Sequence, residues 1–101
     1  MKTKKSLELA ALLDRFAVLV DEVGEADFAA LHRRHARALR SEPDDADVKS
    51  IGADIVATLR VGSGNLADRY MVHEDGTPDV ERSREYVVMV DDVRRRAKRI
   101  S

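Results

Sequence analysis

Apolar residues recur at three- and four-residue intervals along most of this chain, and that rhythm points to a mainly helical fold before anything else is considered. Leu9, Leu12, Leu13, Phe16, Leu19, Val20 and Val23 follow it without a break, so they line one face of a helix wide enough to be buried. Ser6 stands where it can cap that helix, which is expected to run to about Val23, with Gly24 at its carboxyl cap. A second helix is expected from about Glu25 to Arg40, with Phe28, Leu31, His35, Ala38 and Leu39 turned inward. Pro43 then closes a helical hairpin. In the acidic stretch Glu42 to Asp47, carboxylates suit the amino end of a third helix, because they complement its dipole and accept hydrogen bonds from free amides. The inner seam of that helix is Val48, Ile51, Ile55 and Leu59. Gly52 within it costs roughly 1 kcal/mol against alanine, a cost that makes sense where another helix must come close.

One interval breaks the pattern. Gly62, Gly64 and Gly76 are three of only five glycines, and Glu74-Asp75-Gly76-Thr77-Pro78 is a turn signal. Asp79 can cap a last helix to about Arg99, with Val80, Val87, Val90, Val93, Ala97 and Ile100 as its inner positions. The competing reading is a strand over Tyr86-Val87-Val88-Met89-Val90 paired with Arg69 to His73, because β-branched runs favour strands. Helix is preferred: opposite charges flank the run at helical spacing, and no hairpin turn separates the two segments. The expected fold is therefore an all-α bundle of about four helices with a Gly-rich loop at 62–78 before the last helix, the alternative being α+β with a short hairpin.

With 101 residues, 44% hydrophobic and 37% charged, the chain suits one domain over 1–101 with a modest core. There is no cysteine, which excludes disulfides, thiolate metal sites and cysteine nucleophiles, and makes cytoplasm the expected location. Lys2, Lys4 and Lys5 resemble the basic start of a secretion signal, but Glu8, Asp14 and Arg15 interrupt the apolar core that such a signal needs. No apolar run reaches membrane-spanning length, so no membrane partner is expected. A net charge of −1 supplies no global field for nucleic acid. Arginine outnumbers lysine and alanine, valine and aspartate abound, which is the composition of a GC-rich bacterial genome.

The Gly-x-Gly at 62–64 is not a phosphate cradle. It follows a helix rather than a strand, and it lacks both the third glycine of a dinucleotide fingerprint and the lysine of a P-loop. A helix cap with a tight turn accounts for it, with Asn65 or Asp68 bonded to local amides and Leu66 and Met71 packed beneath. Such a stiff loop would present Asn65, Asp68, Arg69, Tyr70 and His73 to a partner.

Gly62, Gly64, Leu66 and Asp68, followed by Asp75, Gly76 and Pro78, resemble a family of small bacterial helical proteins of unknown function with a Gly-x-Gly-Ser-Leu-Asn-Asp type motif and an Asp-Gly-x-Pro type turn. Asn65 and Ala67 depart from it, standing where the family has Ser and Asn. The resemblance implies a mainly helical single domain with a fixed loop, and implies no catalysis.

His32 and His35 stand three apart on one helix and His73 is within reach of the loop, yet no Glu-x-x-His or His-Glu-x-x-His accompanies them. A hydrogen-bonded core histidine is the better account of His35, which falls on the apolar seam with His32 at its border. No metal and no cofactor are expected. Arg69 to His73 resembles the Arg-to-His spacing of helical HEPN-type nucleases only loosely, the gap being shorter, and no catalytic residue is assigned.

Two basic groups remain: Arg33, Arg37 and Arg40 on the second helix, and Arg94, Arg95, Arg96, Lys98 and Arg99 at the carboxyl end. Cations stabilise a helix carboxyl terminus, so a solvated helix end is favoured over a nucleic-acid footprint. A helix-turn-helix over Ala53 to Met71 fails, because its turn glycine comes one position late relative to Ala57. Both phenylalanines are expected to be buried, which leaves few aromatics to stack on bases. The sequence thus favours a non-enzymatic protein–protein interaction module, comparable in class to immunity proteins and antitoxins, whose surface is Gly62, Gly64, Asn65, Asp68, Arg69, Tyr70 and His73. The alternatives are a nucleic-acid-binding regulator using Arg94 to Arg99 and a small hydrolase or nuclease.

Overall fold

A computed structural model describes residues 4–59 and 71–101, which form four helices: α1 (Lys4–Glu22), α2 (Ala26–Arg40), α3 (Asp45–Thr58) and α4 (Val80–Ile100). The fold is an all-α bundle. Among the described residues the single β pairing is an isolated antiparallel bridge between Val72 and Pro78. Tyr86 to Val90 lies inside α4, so the strand alternative is overturned there. The charges decided it: Asp91, Asp92, Arg94, Arg95 and Arg96 pair at helical spacing immediately beyond the run.

Ion pairs give the directions of the helices. Arg33 meets Asp21 and Arg40 meets Asp14, so α2 runs antiparallel to α1. Arg82 meets Glu22 and Arg96 meets Glu8, so α4 runs antiparallel to α1 as well. Helix α3 lies along α4, with Gly52 beside Ala97 to Ser101 and the Leu59 carbonyl bonded by Arg94.

The expected helix signals hold at most boundaries. Gly24 has a φ of +85°, and the amides of Gly24 and Glu25 return to the carbonyls of Asp21 and Val20, the paired bonds of a Schellman cap. Asp44 caps α3 through the Asp47 amide at 2.8 Å, and Asp79 caps α4 through the Arg82 amide at 3.1 Å. At Gly52 an added Cβ would stand 2.8 Å from the Ala97 carbonyl oxygen and 2.9 Å from Ile100 Cγ1, so glycine is what permits the α3–α4 approach. Ser6 is different. It is buried within α1, which already runs from Lys4, and it lines the groove shared with Val48 of α3 and Ile100 of α4. Lysine is a good helix former, so the helix has no need to start at the serine.

Two faces are rotated from expectation. In α2 the inward row is Ala29, His32, Ala36 and Leu39 rather than Phe28, Leu31 and His35, a turn of one residue or about 100°. Small alanines let α2 lie close against α1, and Phe28 is left 37% exposed at the hairpin end. In α4 the inward row is Tyr86, Val90, Val93 and Ala97, with Ile100 packed beside it, while Val80 and Val87 face outward. Tyr86 and Phe16 bring their rings within 5.7 Å at the centre of the core.

Candidate functional site

Residues 71–79 show how the second part of the interrupting segment is held. Gly76 donates to the His73 carbonyl at 2.9 Å and the His73 amide donates to Thr77 O at 2.7 Å. With Gly76 at φ +87° this is a three-residue hairpin turn ending in a left-handed glycine, as Asp-Gly predicts. The Asp75 carboxylate accepts from the Thr77 hydroxyl at 2.7 Å and from its amide at 3.0 Å, and these bonds hold Asp75 below the usual carboxylate pKa.

The base of the turn is tied to α4. The Met71 amide donates to Ser83 Oγ at 2.8 Å, the Ser83 hydroxyl donates back to the Met71 carbonyl, and the Asp79 amide donates to that same carbonyl at 2.9 Å. Met71 is buried in the core, as expected of a residue beneath the loop. Its neighbours point outward: Val72 is 52% exposed, Val80 is 62% exposed, and His73 Nδ1 lies 3.6 Å from Asp79 Oδ2 with its side chain 56% exposed. His73 therefore belongs to the cap of α4 and does not join His32 and His35. Of the expected surface, Gly62, Gly64, Asn65, Asp68, Arg69 and Tyr70, like Leu66, lie outside the described residues; His73 is the member that is described.

The carboxyl-terminal cations do not form one stripe. Consecutive residues are about 100° apart on a helix, so Arg94, Arg95 and Arg96 point in three directions. Arg94 bonds the Leu59 carbonyl at 3.1 Å and Asp91 at 2.7 Å, Arg95 bonds Asp92 at 2.9 Å, and Arg96 joins Asp92 at 3.2 Å to Glu8 at 3.4 Å. Burial pushes the Asp92 carboxyl up, but the hydrogen bonds and charges of Arg95 and Arg96 outweigh it and leave the pKa lowered. Lys98 and Arg99 have no ion-pair partner among the described residues.

The two histidines exchange their expected roles. His32 is fully buried with its ring edge against Phe16, centroids 5.1 Å apart, and neither ring nitrogen has a hydrogen-bond partner among the described residues. Burial first, then the neighbouring His35, lower its pKa to about 4, against a small opposing pull from Asp54. His32 is thus neutral near pH 7 and sealed from any substrate. His35 instead bonds Asp54 across the α2–α3 boundary at 2.7 Å. Among the described residues no group of three His, Asp or Glu side chains converges as a metal site would require.

A groove of about 520 Å³ between α1 and α4 escaped the sequence reading. Leu12 and Met89 form its floor, Val88 its wall, and Arg15, Arg84 and Glu85 its rim. A signal for it was present. Five consecutive apolar residues, 86–90, sweep more than a full turn of helix, so some of them had to face solvent.

No family model matches this chain, and neither does any curated protein or solved structure.

Proposed function

We propose that the chain is a non-enzymatic protein–protein interaction module of a bacterial cytoplasm, of the kind that neutralises or adapts a partner as immunity proteins and antitoxins do. One observation carries this reading. Residues 71–79 are anchored by Met71 and Ser83 and closed by their own turn bonds, yet they hold Val72 and His73 exposed beside Val80. A surface fixed in advance loses little conformational entropy on binding, and exposed apolar side chains on rigid backbone supply contact area. Further support comes from His32, whose two ring nitrogens are sealed in the core and so cannot exchange a proton with a bound molecule. The proposed surface extends to the expected residues Asp68, Arg69 and Tyr70, and kinship with the Gly-x-Gly-Ser-Leu-Asn-Asp family forms part of the same proposal.

Affinity capture on the immobilised chain tests the reading. The wild type should retain a protein in stoichiometric amount, and Val72→Asp and Tyr70→Ala should each release it. If no protein is retained, or both variants capture it as the wild type does, the proposal fails. Binding to DNA or RNA that falls steeply with salt and is lost in the Lys98→Ala, Arg99→Ala double variant would move the function to the nucleic-acid alternative.

A further inference from the structure

Helix α4 has two kinds of charge. Those turned toward the bundle are matched: Arg82 with Glu22, Arg94 with Asp91 and the Leu59 carbonyl, and Arg96 with Glu8 and Asp92. Around Val88 on the outer face, Glu81, Arg84 and Glu85 have no hydrogen bond or ion pair among the described residues. Val88 itself is 63% exposed, more than any other large apolar side chain described, and it walls the α1–α4 groove.

From this face we infer that the chain associates with a second copy of itself, α4 against α4, antiparallel about a two-fold axis at Val88. The order of charges selects that partner. At about 100° per residue, Glu81 and Arg95 fall close to either side of Val88, and Arg84 and Asp91 share one flank of it. A two-fold axis at Val88 sets residue 81 of one copy opposite residue 95 of the other, both seven positions from the axis, and brings Arg84 within one position of the partner copy's Asp91 on the same flank. Both pairings are of opposite sign and each occurs twice, because an isologous contact repeats every interaction. A parallel arrangement would set Glu81 against Glu81 and Arg95 against Arg95 along the contact line, so the pattern disfavours it. The other flank carries Glu85 and Asp92. There Asp92 is already held by Arg96, and Arg15 of α1 lines the same groove, so the second copy's Glu85 meets a cation. At the centre, Val88 of one copy meets Val88 of the other, beside the apolar groove of Leu12 and Met89.

Sedimentation of the full chain from low micromolar to millimolar concentration tests this. The wild type should approach twice its 11.3 kDa mass. Val88→Asp should weaken association at least about tenfold while leaving the helical circular dichroism unchanged, since it buries two charges at the centre of the contact and touches no core. Glu81→Arg and Arg95→Glu should each weaken it too, whereas an equimolar mixture of those two variants should restore it, because both charge contacts of the mixed dimer are again of opposite sign. A wild type that stays monomeric throughout, a Val88→Asp or single charge-reversal chain that dimerises as the wild type does, or a mixture that fails to recover would each overturn the proposal. None of these outcomes depends on the surface at 71–79, so the two proposals stand or fall separately.

Discussion

Helices α1 and α4 are of similar length, 19 and 21 residues, and both carry the three-four apolar rhythm, yet α1 buries nine of its residues and α4 only four. Position explains the difference. Helix α1 has α2 on one side and α4 on the other, so most of its circumference is covered; α4 lies at the margin against α1 and α3, with Val80, Val87 and Val88 left in solvent. An apolar side chain therefore stabilises this protein according to the face it occupies, and more of the faces of α1 than of α4 are covered. Both proposed interaction surfaces fall on the α4 side for that reason.

The sharpest way to break this contrast is to remove an aromatic from the centre of α1. Phe16 is fully buried against His32 and Tyr86, and Phe16→Ala should cost about 3–5 kcal/mol in urea unfolding, enough to consume much of the stability of a domain of this size. A cost below about 1 kcal/mol would show that α1 is not the centre of the core.

Acid should expose the same centre. His32 has its pKa lowered from 6.5 to about 4, so the unfolded chain takes up a proton that the folded chain refuses. Stability contributed by the neutral ring is complete above about pH 6.5 and declines as pH falls toward 4, by about 3 kcal/mol in all. The lowered carboxyls of Asp75 and Asp92 act in a different window, below their ordinary value of 3.8, where their hydrogen bonds are lost on protonation. In His32→Leu the decline between pH 6.5 and 4 should flatten by about one proton, whereas an unchanged slope would place that ring in contact with water.

Smaller effects are expected at the margin. Gly52→Ala should cost about 1 kcal/mol, because the clash with the Ala97 carbonyl and Ile100 exceeds the gain in helix propensity, and the loss should be read as a lower unfolding midpoint. Val87→Ala should stay within about 0.5 kcal/mol of the wild type, since its side chain is outside the core. A larger loss would mean that α4 is covered on its outer side even in the monomer.

How much of this was legible in the chain differs from residue to residue. Gly24, Asp44, Asp79 and Asp75-Gly76 act through bonds to their own neighbours, so reading them required no knowledge of what packs where, and all four occupy the expected caps and turns. Gly52 was legible as a point of close approach, although not as an approach to α4 in particular. The face of α2 was not legible. Its apolar residues are mixed with alanines, and a shift of one position exchanges Phe28 and His35 for Ala29 and His32 at almost no cost in local pattern. Of the expected contact surface, His73 was found exposed at the cap of α4, while the cations from Arg94 to Arg96 were drawn into pairs that reach Leu59 and Glu8, residues distant in sequence.

By itself, then, the sequence determined that this chain is helical, where its helices stop, and which turn chemistry closes the segment before α4, because capping and periodicity are local and are satisfied within a few residues. The tertiary structure alone decided which side of each helix is inside, that His32 rather than His35 is sealed in the core, and that Val87 and Val88 of α4 stand exposed. Those outcomes depend on competition among helices for the same apolar surface, and that competition is settled only when all four are packed together.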